Sequence, residues 1–319
     1  MHRILDLDPE GSPILRSDAE ALAPPPAGVM RWIDLVEPDT ATLDQLKQRF
    51  DLDSLCVADC TEFGVTSKLE DFESYIFLIV HAFTAAPDDP LGIVIHEIHA
   101  FLGENFLITI HDNPIPAQEQ VWARAITDRS VMARGLSWAL YLSIKAMVDA
   151  TEPLVERIDD ELERLELSII EEDRTADPKR AFRIKRAAAG MRRSLRPLRD
   201  TLRILHRRAD SKMSERAARY LRDLADVVVR LTERVEEVGT AAGDVQSAYQ
   251  ALQATRANDL MKNLTIFSAV FLPLGVIVGF WGQNFEGLPY DSNIWLGITL
   301  VSLIAVPAGL VEWFRRNWL

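Results

Sequence analysis

The sequence predicts an α+β domain of the α/β/α sandwich type, followed by a long helical stalk and two membrane-spanning helices. Three observations lead there. Two runs near the C-terminus, Leu264 to Trp281 and Ile294 to Val311, contain no charged residue. Each approaches the roughly 20 residues that cross a ~30 Å hydrocarbon core. Strand-like segments are confined to the stretch before His111. Between these regions lies an unbroken repeat of apolar residues at alternating spacings of four and three.

Taken in order, residues 1–30 are expected to form a loose leader. The stretch Asp8 to Gly28 is rich in Pro, Ala and acidic residues, and Pro24-Pro25-Pro26 suits neither a helix nor a central strand. Met1 to Glu10 carries Arg3, Asp6, Asp8 and Glu10, so it lacks the apolar core of a cleaved signal peptide. Residues 31–135 are expected to be an α/β domain. Trp32 to Leu35, Tyr75 to Phe83, Ile93 to Phe101 and Phe106 to His111 are strand-like, and Thr40 to Phe50 is helical. Cys56 and Cys60 lie one helical turn apart and are expected to be two small semi-buried residues rather than a disulfide.

Residues 136–262 are expected to be nearly all helical, with Leu136 to Ile170 and Pro178 to Ala209 as long helices. The seam Ala217, Leu221, Leu224, Val228, Leu231, Val235, Val238, Ala242, Val245, Tyr249 and Leu252 then marks a stalk helix packed against others. No proline separates Pro197 from Pro273, so one helix can run from the polar domain into the bilayer; Gly239 and Gly243 weaken it locally. Residues 263–319 form the two-helix membrane domain, with a short external loop at 282–293. Arg256 and Lys262 precede the first apolar run and Arg315 and Arg316 follow the second, whereas the connection carries Glu286 and Asp291. By the positive-inside rule both termini are cytoplasmic. The net charge of −13 argues against a general nucleic-acid binder and is compatible with a protein that concentrates cations.

Within the first apolar helix, Asn258, Met261, Thr265, Ser268, Leu272, Gly275 and Gly279 share one stripe that is smaller and more polar than its surroundings. Such a stripe serves either close helix packing or a pore wall made by several copies. Asn284, just past the outer end in a turn permitted by Gly282 and next to Gln283, offers an amide carbonyl. A strongly hydrated Mg²⁺ gives up its water reluctantly and accepts such a contact through its shell.

Other motifs carry less. His96-Glu97-Ile98-His99 places its histidines three apart in a strand, hence on opposite faces, without the helical spacing of a zinc hydrolase. The basic stretch Lys179 to Arg208, interleaved with leucines at helical spacing, is expected to be a solvated face paired with acidic neighbours such as Asp159-Asp160-Glu161. No phosphate-binding Gly-Lys motif and no nucleophile–base arrangement suggests an enzyme.

The runs Leu264-Thr265-Ile266-Phe267, Phe271-Leu272-Pro273-Leu274 and Gly279-Phe280-Trp281-Gly282-Gln283-Asn284-Phe285-Glu286-Gly287-Leu288-Pro289, with the closing Arg315-Arg316-Asn317-Trp318-Leu319, resemble the CorA family of magnesium and cobalt transporters. Weaker similarity reaches upstream through Trp32 to Leu35, Lys68 to Phe77 and Arg196 to Arg199. The resemblance implies a funnel-shaped homopentamer in the inner (plasma) membrane, with no cofactor, that passes Mg²⁺, Co²⁺ or Ni²⁺ driven by the membrane potential. It makes Gly282 and Asn284 the ends of a Gly-Met-Asn entrance motif and the stripe from Asn258 to Gly279 the pore lining, with Met261 and Leu272 as apolar constrictions. Glu286 and Asp291 would attract cations outside. Two departures stand out. Gln283 replaces Met, as in ZntB-like zinc transporters that keep Gly and Asn, which opens Zn²⁺, with or without proton coupling, as an alternative cargo. Ser247 stands where magnesium-gated members carry a stalk carboxylate two residues before the position of Tyr249, leaving Asp244 as the nearest acidic substitute for a regulatory metal. A third reading, from another class, is a membrane-anchored coiled-coil scaffold or sensor.

Overall fold

The computed structural model describes residues 2–16, 21–171, 177–207, 212–283, 287 and 292–317. The chain divides into two compact units, Met1–Gln246 and Ser247–Leu319. The first unit opens with β1 (His2–Leu7), β2 (Pro13–Arg16) and β3 (Met30–Val36), then α1 (Thr40–Phe50) and α2 (Ser54–Asp59). It continues with β4 (Lys68–Asp71), β5 (Tyr75–Ala86), β6 (Asp89–Gly103) and β7 (Phe106–His111). Helices α3 (Pro116–Thr127), α4 (Ser130–Ala133), α5 (Leu136–Ile170) and α6 (Lys179–Leu205) follow; α7 (Glu215–Trp281) and α8 (Asn293–Asn317) complete the chain.

The seven strands form one sheet in the order β2-β1-β3-β7-β6-β5-β4. Only β3 and β7 pair in parallel, Ile33 opposite Ile108; every other pair is antiparallel. Strand alternation sorts the two faces. Ile33 and Leu35, with Phe77, Ile79, Phe101, Ile108 and Ile110, pack against Leu43, Leu46 and Phe50 of α1 and Cys56 and Val57 of α2. The opposite face of β3 carries Trp32, whose ring meets Trp122 of α3 edge-on at 5.0 Å. The sandwich expected from the pattern is therefore present. Helix α1 starts where Asp39 Oδ1 accepts the Thr42 N–H at 2.8 Å and ends at Asp51 in the left-handed conformation, φ 51°.

The leader is not loose throughout. Strands β1 and β2 lie within residues 1–30 and extend the sheet, with Ile4 and Leu5 fully buried. Charges that look unsuited to a strand find partners far along the chain. Arg31 donates to both oxygens of Asp6 at 2.7 Å, and Arg3 donates to Asp34 at 2.8 Å and to Glu119 at 2.6 and 2.7 Å. Asp34 is wholly enclosed. Besides Arg3 it accepts a short bond from Thr109 Oγ1 and one from Gln118 Nε2 at 3.2 Å, and His111 Nε2 lies 3.4 Å away. Burial alone would raise the Asp34 carboxyl. The bond and charge of His111, with Arg3 and Thr109, outweigh it and hold the group below the ordinary carboxylate range. For His111, burial acts downward, but Asp34 and the Asn113 carbonyl raise it overall.

The stalk seam is buried from Ala217 to Val245, and Tyr249 and Leu252 beyond it are half-buried. Gly239 marks close helix packing, because a Cβ there would lie 3.3 Å from that of Ala188 on α6. The basic face of α6 is only partly paired as expected. Arg180 reaches Glu161 at 3.3 Å, but Arg196 pairs with Glu236, Arg183 with Asp89, and Asp159 is taken by Arg234 of α7 at 3.4 Å. Cys56 and Cys60 are free, buried thiols. Burial, with nearby carboxylates, pushes the Cys56 thiol up to about 12 and raises Cys60 as well.

Candidate ion pathway

Helix α7 runs unbroken through the first apolar run and ends at Trp281. Both α7 and α8 are long and apolar enough to cross a membrane, with mean hydropathies of 2.0 and 2.2 over their most apolar windows. Apolar side chains such as Leu264, Phe267 and Val276 stand more than half exposed, as lipid-facing groups do.

Asn258, Met261, Thr265, Ser268, Leu272, Gly275 and Gly279 are all exposed along α7. The half-buried positions of this span are Lys262, Ile266, Ala269, Val270, Pro273, Leu274 and Ile277. At about 100° per residue, the middle of that half-buried set lies roughly 140° around the helix from the stripe. In α8 the half-buried positions Thr299, Ser302, Leu303, Val306, Pro307 and Leu310 also form one face. The stripe thus lies within the wide exposed arc of α7 that nothing within the unit covers, an arc that also carries Leu264, Phe267, Phe271 and Val276.

Along the stripe, Thr265 Oγ1 donates to the Met261 carbonyl at 2.8 Å, so its hydroxyl hydrogen is committed to the helix. A Cβ at Gly275 or Gly279 would meet nothing within 4 Å. Gly282 closes the last turn with its N–H on the Val278 carbonyl at 3.0 Å, and Gln283 N–H reaches the Phe280 carbonyl at 3.4 Å. Gly282 has no left-handed backbone, and a Cβ there would sit 3.4 Å from the Val278 oxygen, an ordinary contact. Its turn is therefore open to other residues by backbone geometry. Asn284, Glu286 and Asp291 lie outside the described residues. Pro273 is not among the expected pathway positions, although its signal stands in the sequence. Pro273 has no N–H for the Ala269 carbonyl, which leaves a backbone acceptor inside the span.

Among the described residues, no three His, Cys, Asp or Glu side chains converge as metal ligands. His96 and His99 do take opposite faces of β6. His96 Nε2 bonds Thr84 Oγ1 at 2.8 Å, whereas His99 lies beside Phe63 and Phe77, its Nε2 3.4 Å from Glu97. Glu97 also takes the Gly64 and Val65 N–H groups, so the motif anchors a loop. Asp244 is an exposed residue of α7 with no convergent ligand set around it among the described residues.

An α/β sandwich leading through one helix to an apolar helix pair defines a membrane protein with a large polar domain. The chain belongs to the CorA-like Mg²⁺ transporter protein family, which it matches over residues 27–316. YfjQ of Bacillus subtilis is 28% identical over 294 residues, covering 90% of this chain and 89% of that protein. The cobalt/magnesium transport protein CorA of Thermotoga maritima is 25% identical over 297 residues, covering 90% and 83%. The fold matches that of the CorA magnesium transporter of Methanocaldococcus jannaschii with a TM-score of 0.83 and 19% identity, over 99% of this chain and 98% of the other. The family is one of transporters rather than enzymes, and the scaffold reading gives way to divalent-cation transport.

Proposed function

We propose that five copies of this chain form a pore in the inner (plasma) membrane, both termini cytoplasmic, which admits hydrated Mg²⁺, and also Co²⁺ and Ni²⁺, down the membrane potential. The observation that carries this reading is the exposed stripe of α7, turned away from the half-buried side of its helix. Five such stripes around an axis make a wall of hydroxyls, small residues and apolar constrictions at Met261 and Leu272. Asn258 stands at the inner end. Gly282, Gln283 and Asn284 form the entrance, where the Asn284 amide oxygen accepts hydrogen bonds from the ion's water shell, while Glu286 and Asp291 concentrate cations outside.

Gln283 favours a second cargo, Zn²⁺, because it replaces the Met of the entrance motif. Against that stands the stripe itself, which holds none of the His, Cys or carboxylate ligands that bind zinc directly. Regulation by cytoplasmic Mg²⁺ would fall to Asp244, since Ser247 has no carboxylate. Uptake into liposomes, compared for Mg²⁺, Co²⁺, Ni²⁺ and Zn²⁺, tests both points. We expect Mg²⁺ to lead and Asn284→Ala to cut its flux at least tenfold. Unchanged flux in that variant would overturn the entrance.

A further inference from the structure

We propose that copies of this chain meet through two unlike surfaces of the first unit, the acidic outer face of α5 in one copy lying on an arginine-rimmed groove beside α6 in the next. The inference rests on the ring of copies proposed above, and it names the side-chain contact that would set the spacing of their polar domains.

The first surface is a stripe at spacings of three and four. Glu152, Glu156, Asp160, Glu163, Leu167 and Ile170 are all exposed on α5. Glu156 is 3.6 Å from Arg234, but Glu152, Asp160, Glu163 and the neighbouring Glu166 have no ion pair among the described residues. At its C-terminal end the stripe becomes apolar, with Leu167 58% and Ile170 75% exposed. Two such side chains side by side in water, next to unpaired carboxylates, form an acidic edge with an apolar end.

The second surface has the inverse character. Between α6 and β6 lies a cavity of about 430 Å³ whose floor is Ile93, Ile95 and Gly190 and whose rim includes Arg186 and Arg193. Ile95 is 39% exposed. A Cβ at Gly190 would lie 3.9 Å from the end of Ile95, an ordinary contact, so the backbone of α6 forms part of the floor. Arg183 on the same rim is held by Asp89, but Arg186 and Arg193 have no carboxylate partner among the described residues. Apolar floor meets apolar stripe, and arginine rim meets carboxylate edge.

The chain itself is the occupant that this complementarity selects, because it carries both halves. In a two-fold dimer both contacts would have to form at once between the same two copies. A head-to-tail contact pairs opposite charges and leaves each copy with one free surface of each kind, so it repeats until a ring closes.

Cysteine cross-linking of the full chain in native membranes tests the contact, with Cys56 and Cys60 buried and out of reach. Chains carrying Ile95→Cys and chains carrying Leu167→Cys are coexpressed and mildly oxidised. A dimer-sized band on denaturing gels at least tenfold above either variant alone is the expected result. Arg186→Glu with Arg193→Glu should lower that band at least fivefold, and adding Glu163→Arg with Glu166→Arg should restore it. Absence of the band from a preparation whose mass by native mass spectrometry is that of an intact oligomer would overturn the interface and leave the ring standing. A monomeric mass would overturn both. A cross-link formed only within one chain, when both cysteines are placed in the same copy, would also overturn the proposal.

Discussion

Asp34 is a buried carboxylate whose partners come from three other elements: Arg3 of β1, Thr109 and His111 of β7, and Gln118 of α3. Its two shifted groups act in opposite pH windows. The Asp34 carboxyl is depressed on folding, so its contribution is present at neutral pH and is lost as the pH falls through the folded value. His111 is raised on folding, so its contribution is full below the unfolded value of about 6.5 and disappears as the pH climbs through the folded one. Thermal unfolding of the detergent-solubilised protein should therefore show a midpoint that declines as the pH rises above about 6.5 and through the raised value of folded His111. His111→Gln should flatten this decline while leaving the loss in acid. An unchanged slope in that variant would assign the decline to another group. None of this network is visible residue by residue in the sequence, where Asp34 is one acid among many. Its burial follows from strand alternation, but its partners are 31 to 84 positions distant.

At the scale of elements, local periodicity proved sufficient wherever one face of a segment alone meets the core. Thr40 to Phe50, Phe106 to His111 and Leu136 to Ile170 have the expected limits, and α7 is the uninterrupted helix that the absence of proline between Pro197 and Pro273 implies. The failure at β1 has a physical cause. Arg3 and Asp6 break the apolar pattern, and Asp34, Glu119 and Arg31, distant in sequence, together with Arg16 of β2, make their burial favourable. Strands β2 and β4 are four-residue edge pieces, too short for any period to declare itself. Because β1 supplies both core residues and the arginine of Asp34, it is structural rather than dispensable. Deleting residues 2–16 should destabilise the domain by more than the roughly 3–5 kcal/mol that follows from stranding one partner of a buried ion pair. Thermal unfolding followed by intrinsic tryptophan fluorescence, to which Trp32 and Trp122 with their ring centroids 5.0 Å apart contribute among the seven tryptophans, reads this. An unaltered midpoint would show that β1 adds nothing.

For the molecule as a whole, the candidate pathway was legible as a stripe and a turn motif, because residue spacing on a helix needs no knowledge of neighbours. What one chain withholds is the side of each helix that faces an axis, since an axis exists only between copies. In the proposed pore the exposed stripe is the side assigned to the axis, because the other side is half-buried within the copy. Energetically, passive entry needs no nucleotide: about 2.3 kcal/mol per charge per 100 mV gives roughly 4.6 kcal/mol for a doubly charged ion, or about a two-thousandfold concentration ratio. In liposomes, imposing an inside-negative potassium diffusion potential should accelerate Mg²⁺ entry several-fold, and dissipating it should return the rate to baseline. Flux that ignores the potential and follows an imposed proton gradient instead would establish the proton-coupled alternative.

The parallel pairing of β3 with β7 also orders events during synthesis. Strand β3 cannot gain its central neighbour until residue 111 has been made, and Asp34 must wait for Gln118 on α3. Helices α5 and α6 also pack on the sheet, so the sandwich is complete only once α6 has ended at Leu205; from there to the end of the first membrane span at Trp281 a further 76 residues must be added (281 − 205). At about 5–20 residues per second this is an interval of roughly 4–15 s. The sandwich therefore has ample time to close before the ribosome releases any segment greasy enough to compete for its core.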